Sequence, residues 1–566
     1  MFKRNVVIDI KVNEKVVKAY IYRDGDFETV YPFMHQPIEI CYDEHGYEQI
    51  KEIKKLEKTI RFCPEKSGEY FMECYDENDC IIQTKKFNVV DSSAQSRLKI
   101  DRGEAWKDDG TYFLPIGINL TYPDSFKESK GVEFKTNDKV VFLGLKQYES
   151  WIKRCAGNGV NLIRIWGGSS YFTPDKVELG EYDYKQFSKL DKVFEIANKY
   201  KVRIKLTIEK LRHFVSIPQN IVVEGQAIEG SNLFDFYHTY QGEIVTDSAW
   251  INERRYRNLW LLKLREYQLR YACNPALYAI EFWNEMNNYG HGSVNMEELN
   301  DWNCCMAENA RKLFPNALIL NSFGSLDCSQ VAKLYESFRF ELFDWFQFHS
   351  YLDQGAGYKE VCENPIEAIK KSSSLLKEQA MKNNQKLFLA ETGAVNDCHS
   401  GPFRYYMYDN DGLIFVDCVY TPLFLGCIGA GNIWHWGNQY VGAKNLYKYF
   451  KPLSLLVSGI DFSKEKFAPL DLSDKQVYCF VLKGETQYLA FIRNKEWNWK
   501  NTLRDGKNGK IINGQIEFDA VKAETLQTIK IWNEEHNLVY LENNTLLNLK
   551  KLERGILLKG TVRKDG

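Results

Sequence analysis

Two glutamates close apolar runs, and they are the first residues whose setting asks for chemistry: Glu285 ends LYAIEFWNE (277–285) and Glu391 sits in KLFLAETG (386–393). A charge on such a stretch needs a partner or a purpose, because burying it alone is expensive. Cleavage of a glycosidic bond needs two carboxylates, a protonated one for the leaving oxygen and an ionised one as nucleophile or base. The chain holds 76 acidic residues, so either glutamate alone could be incidental, and it is the pair that carries weight. Other polar and aromatic residues also stand near the ends of apolar runs. They are Arg164 and Trp166 in VNLIRIWG (160–167), Glu209 in VRIKLTIE (202–209), Asn284 beside Glu285, His349 and Tyr351 in FDWFQFHSY (343–351), and Trp434 and Trp436 in GNIWHWG (431–437).

These runs read as parallel strands because helical patterns alternate with them. TYFLPIGIN (111–119) precedes them, ALILNSFG (317–324) falls among them, and helices are expected near 144–156, 183–200, 251–272, 297–314, 329–341, 364–383, 413–427 and 445–459. Eight strands each followed by a helix is the count of a (β/α)8 TIM barrel, whose active sites lie at the C-terminal ends of the strands. A doubly wound open sheet is the alternative, and it would carry a Gly-rich phosphate loop, but GxGxxG and the Walker pattern are both absent. Residues 1–92 hold short alternating runs (VVIDIKV, VKAYIYR, PIEICY, KTIRFCP, KFNVV) that suggest an immunoglobulin-like β-sandwich, and DSSAQS (91–96) reads as a linker. The expected fold class is therefore α/β, a barrel over 97–462 flanked by that sandwich and by a second one over 465–566 (QVYCFVL, QYLAFIR, LQTIKIW, NLVYLE, GILLKGTV).

Among 566 residues, 74 Lys and Arg nearly cancel the 76 acids, which gives no sign of nucleic acid or an anionic membrane as a partner. No stretch approaches the ~20 apolar residues of a spanning helix. The start, MFKRNVVIDIKVNEKVV, reads as a strand and not as a signal peptide, so the expected location is the cytoplasm. Fourteen scattered cysteines without a CxxC pair fit that compartment, and the nine histidines do not cluster, so neither a metal nor a cofactor is expected. Aromatic residues reach 14%, enough to fill cores and also to stack on sugar rings.

Asn-Glu ending the fourth strand, His-x-Tyr on the sixth, Glu on the seventh and Trp on the eighth resemble the pattern of the retaining clan A glycoside hydrolases, the cellulase/mannanase-like, GH5-like superfamily. The sandwich and joint before the barrel resemble glycosidases with a DUF5060-type N-terminal domain. The resemblance implies a retaining β-glycoside hydrolase using double displacement. Glu285 becomes the general acid/base, Glu391 the nucleophile, and Asn284 a partner of the sugar 2-hydroxyl. Tyr351 would donate to Glu391, His349 would hold the acid/base or a sugar hydroxyl, and Arg164 would pair with Glu391. Trp436, Trp434 and Trp166 are candidate floors for the sugar, and Glu209 a substrate contact.

Bland readings stay open. Arg164 could be a structural ion pair, His349 a core histidine, and IWHWG barrel packing. Many clan members place a His near the end of the third strand, whereas TIEKLRH offers Glu209 and then His213 in the loop. The connection over 210–250, with NLFDFYHTYQ (232–241), reads as a cleft wall or lid. RIWGGSSYF (164–172) resembles the RxWGG stretch of β-mannosidase-like enzymes and points to β-manno- or β-gluco-configured oligo- or polysaccharides, with exo action on short imported chains favoured. A non-catalytic carbohydrate-binding barrel or a transglycosidase using the same site are the alternatives, and the sandwiches could buttress the barrel or form a homo-oligomer.

Overall fold

The computed structural model describes residues 1–127, 140–169, 171–210, 220–223, 226–229, 238–396, 400–534 and 536–563. They form two compact units. The first comprises Met1–Arg102, Leu120–Lys153 and Ile163–Asn321, and the second Gly103–Asn119, Arg154–Leu162 and Ser322–Gly566.

In the first unit, alternation of apolar and polar residues builds two layers, antiparallel except where Phe2–Lys3 runs parallel to Ile81–Val90. Strands Phe2–Lys3, Ile81–Val90, Gly68–Tyr75, Lys18–Arg23 and Asp26–Val30 lie side by side in that order, and Ile8–Lys11, Glu57–Phe62 and Phe33–His35 form the other sheet. Ile8, Ile10, Ile21, Ile60, Phe62 and Met72 share one core, while Asp9 and Lys11 point outward, as a period of two demands. The same unit then switches to parallel strands: β1 (Leu162–Trp166), β2 (Arg203–Glu209), β3 (Leu277–Trp283) and β4 (Leu318–Leu320), in that order across the sheet. Every residue of these strands is buried, the mark of a sheet covered on both faces. Helices α1 (Tyr184–Lys199), α2 (Arg254–Tyr271) and α3 (Met296–Leu313) connect them. Asp183 caps α1 and a reciprocal Asn295/Glu298 box starts α3, supplying acceptors for otherwise unpaired N–H groups.

The second unit carries β5 (Trp345–Leu352) and β6 (Lys386–Asn396), which are parallel neighbours. Single bridges extend the parallel array, Ser325 to His349 on one side, and Thr392 to Ile433 and Ile433 to Ile118 on the other. Helix α4 (Pro365–Lys382) begins with Pro after an Asn364 cap, and α5 (Leu413–Phe424) is buried along its whole length. The tail adds a five-stranded sheet (Ala468–Asp471, Val477–Lys483, Gln487–Asn494, Gly555–Thr561, Gln527–Lys530) and a three-stranded one (Ile512–Glu517, Leu546–Leu552, Leu538–Glu542) around a core that includes Val481, Ile492, Phe518 and Leu558.

Two expected strands are much shorter than the sequence suggests, and a third does not form. TYFLPIGIN contributes only Gly117–Asn119 and ALILNSFG only Leu318–Leu320. GNIWHWG is not a strand: Ile433 bridges, and His435 then turns left-handed at φ 56. That turn removes Trp434 and Trp436 from a common strand face, and their rings meet edge to face at 4.8 Å instead. The helix expected over 251–272 is broken by extended Glu253 into Asp247–Asn252 and α2. Much of the expected wall at 210–250, His213 included, lies outside the described residues.

Candidate active site

In the first unit the site is built at the ends of β1, β2 and β3. Glu281 on β3 is fully buried, and Arg164 on β1 grips it with both arms of its fork, Nε to Oε2 at 2.6 Å and Nη2 to Oε1 at 3.0 Å. Thr207 on β2 donates to the same Oε2 (2.6 Å), and the Lys205 ammonium stands 3.6 Å away. Burial by itself would push the Glu281 carboxyl up, but the two cations and the hydrogen bonds outweigh it and hold the group well below the usual carboxylate range.

Arg164 Nη2 also donates to Asn284 Oδ1 at 2.6 Å. An amide whose oxygen is so engaged presents its NH2, as a donor, on the other side. The next residue, Glu285, turns the chain at φ 52, ψ 54. A non-glycine residue held there costs about 1–3 kcal/mol, and such strain clusters at functional sites. Asn288 braces the turn, with its backbone N–H donating to the Glu285 carbonyl (2.9 Å) and its side-chain amide to Glu285 Oε2 (3.2 Å). The Trp166 ring lies under the Arg164 guanidinium at 5.7 Å.

Glu209 at the end of β2 has a different engagement. Its Oε1 accepts from Lys263 Nζ (2.8 Å) and Trp260 Nε1 (3.0 Å), both on α2, and Lys263 also holds Asp175. All three ionisable groups are buried, and burial pushes the Glu209 carboxyl up to about 8 despite the ammonium, with the Asp175 charge adding to the rise.

In the second unit, β5 and β6 pair with a register shift between Phe348 and His349, which sets His349 opposite Glu391 and Tyr351 opposite Gly393. Bulges of this kind re-aim side chains next to sites. The Tyr351 hydroxyl donates to Glu391 Oε2 at 2.8 Å, and His349 Nδ1 lies 3.4 Å from the same oxygen. Gly393 is where the strand passes Tyr351: a Cβ there would stand 3.0 Å from the Tyr406 hydroxyl and 3.6 Å from the Tyr351 ring. Behind it, Tyr406 stacks on Tyr440 at 3.8 Å, and His435 packs edge-on against Tyr406 at 5.4 Å. Burial holds the His435 imidazole far below its ordinary value, at about 3.

The structure thus joins Arg164, Trp166 and Asn284 in one cluster with Glu285 adjoining, and His349, Tyr351 and Glu391 in another. Glu281, Lys205 and Thr207 were not singled out in the sequence. The available signal was a polar residue at alternate positions inside an apolar run: Lys205, Thr207 and Glu209 in RIKLTIE, and Glu281 in LYAIEFW.

No protein-family model and no curated protein matches this sequence. Among solved structures it is similar to an exo-β-1,4-mannosidase from Opitutaceae bacterium strain TAV5, at 15% identity over 62% of this chain and 57% of that one (TM-score 0.39). A glycoside hydrolase family 5 protein from Bacteroides vulgatus ATCC 8482 matches at 11% over 83% and 93% (TM-score 0.47). An endo-β-1,4-mannanase from Thermotoga petrophila matches at 13% over 81% and 99% (TM-score 0.40).

Proposed function

We propose that this chain is a retaining β-glycoside hydrolase of the clan A, GH5-like type, with Glu391 as nucleophile and Glu285 as general acid/base. The observation that carries the reading is the setting of Glu391: buried within β6, opposite His349, with the Tyr351 hydroxyl donating to Oε2. In the first step Glu391 attacks the anomeric carbon while Glu285 protonates the departing glycosidic oxygen. In the second Glu285 takes a proton from water, whose oxygen displaces Glu391. Asn284, its oxygen turned to Arg164, directs its NH2 to the sugar 2-hydroxyl, a contact that tightens as the ring approaches the oxocarbenium-like transition state.

The same reading takes the parallel strands of both units as one (β/α)8 barrel over 97–462, with β-sandwich domains at 1–92 and 465–566. Trp434, Trp436 and Trp166 are proposed to line the sugar site, and Glu209, held by Lys263 and Trp260, to brace it from behind. Substrates of β-manno or β-gluco configuration are proposed on the RIWGGSSYF stretch. Among the described residues no helix is long and apolar enough to cross a membrane.

The test uses a panel of nitrophenyl β-glycosides and manno- and cello-oligosaccharides, followed by a 2-deoxy-2-fluoro glycoside of the preferred sugar. A covalent adduct on the peptide containing Glu391 and a first product of retained configuration are expected. Near-normal turnover by Glu391→Gln, or an inverted product, would overturn the assignment.

A further inference from the structure

Glu281 stands four residues before the proposed acid/base, fully buried within β3. Its two oxygens are both taken by Arg164, and Oε2 additionally accepts from Thr207 and faces Lys205. A free arginine side chain has many rotamers, and anchoring both arms of its fork on a planar carboxylate leaves one. In that rotamer Nη2 reaches Asn284 Oδ1 at 2.6 Å, so the orientation of the Asn284 amide is decided by a carboxylate that does not itself touch Asn284 in these hydrogen bonds. Thr207 and Lys205, on a neighbouring strand, fix Glu281 in turn, so the clamp spans three strands.

We propose that Glu281 is a positioning residue that acts through Arg164 on Asn284, fixing the amide whose NH2 meets the sugar 2-hydroxyl. The proposal rests on the glycosidase reading above. It separates Glu281 from a residue that merely fills the core, because its contribution belongs to one hydroxyl of the substrate and to the transition state. Loss of a contact made mainly in the transition state lowers kcat and leaves KM nearly unchanged.

The experiment compares Glu281→Gln, Glu281→Asp and Asn284→Ala, and each glutamate variant combined with Asn284→Ala, on a nitrophenyl β-glycoside and its 2-deoxy analogue. Glu281→Asp retains the charge that Arg164 and Lys205 require, and it keeps the test open should Glu281→Gln, which leaves two buried cations without their carboxylate, fail to fold. With the 2-hydroxy substrate, Glu281→Asp or Glu281→Gln is expected to lower kcat by roughly 10- to 100-fold with KM within about threefold. With the 2-deoxy substrate the same variants should lose no more than about threefold, and each double variant should be no slower than Asn284→Ala alone, since residues acting as a unit are not additive. Equal losses on both substrates, additive losses in the double variants, or a Glu281→Asp protein that folds and works normally would overturn the role of Glu281. Failure of the glycosidase reading shows differently: the wild-type protein then turns over no glycoside of the panel, or Glu391→Gln retains activity.

Discussion

Glu285 and Glu209 are both glutamates at the end of a parallel strand, and their surroundings ask for opposite behaviour. Glu285 sits on a left-handed turn braced by the Asn288 amide, while Glu209 is locked between Lys263 and Trp260. If Glu285 delivers the proton to the leaving group, Glu285→Ala should slow natural oligosaccharides by about 10²–10⁴-fold, yet spare the first step on dinitrophenyl glycosides, whose leaving group needs little protonation. Equal losses on the two substrate types, read in single-turnover kinetics, would remove Glu285 from that role. Glu209 makes a pH prediction. One ammonium is set among two buried carboxylates, Glu209 and Asp175, and the Glu209 carboxyl rises from an ordinary 4.5 to about 8. A folded-state value above the unfolded one stabilises the protein below about 4.5, and that contribution is lost as pH climbs towards 8. Tm of the wild type should therefore fall relative to Glu209→Gln as pH rises from 5 to 8, and parallel Tm curves would refute it. Residues of this kind divide what the sequence discloses. Glu285, Glu391 and Tyr351 stand at run ends where polarity is conspicuous, whereas Glu281, Lys205 and Thr207 lie within runs whose apolar neighbours conceal them. Their meaning depends on three strands lying side by side, which spacing along one strand does not disclose.

The elements differ in legibility for a related reason. Helices α1, α3 and α4 carry local start signals, Asp183, the Asn295/Glu298 box and Asn364-Pro365, and they begin within a residue or two of where the sequence places them. The short strands do not, because strand length is set by neighbours. Gly117 lies so close to Asn432 that a Cβ would come within 2.3 Å of its side-chain oxygen, and GNIWHWG joins the parallel array through the bridges of Ile433. The register shift at Phe348/His349 is equally silent in sequence, though it is what sets His349 opposite Glu391. Gly393 tests how tightly this element must hold. Its φ is 154°, where L side chains are strained, and the Tyr406 hydroxyl stands 3.0 Å from where a Cβ would lie, so the methyl of alanine fits only if Tyr406 gives way. Gly393→Ala should lower stability by about 1–3 kcal/mol by overpacking. It should also lower kcat at least ~10-fold, since a backbone strained at Gly393 shifts its strand partner Tyr351, which donates to Glu391, and small misplacements at a site are costly. A variant with lowered Tm but wild-type kcat would show that Tyr351 is held by something other than this close passage.

At the scale of the molecule, a buried arginine in each unit helps tie its antiparallel layers to its α/β segment. In the first unit Arg61 donates to Asp191 of α1 at 2.7 and 3.0 Å and to Asp9 at 2.7 and 2.8 Å. In the second, Arg493 donates to Asp417 of α5 at 2.8 Å and to the carbonyls of Arg554 (2.9 Å) and Trp497. The sequence shows both arginines only as ordinary members of strands, KTIRFCP and QYLAFIR, because the partner lies on a helix far along the chain. Alternation of strands and helices reveals the segments, and these long-range ties decide whether they fold together. Helix α5 makes the dependence concrete: every residue is buried, and Tyr420 and Phe424 pack on Phe491 of the tail at 5.6 and 5.7 Å. Arg493→Met should therefore cost about 3–5 kcal/mol, since it strands the Asp417 carboxylate, whose carboxyl burial already pushes up to about 6. Adding Asp417→Leu should return part of that loss, because an apolar pair can replace a buried ion pair, but not all of it, because the Arg554 and Trp497 carbonyls still lack their donor. Urea unfolding of the three proteins measures both steps. If the double variant is as unstable as Arg493→Met, the carbonyls dominate; if Arg493→Met unfolds like the wild type, the tail is held to α5 by its aromatic packing alone.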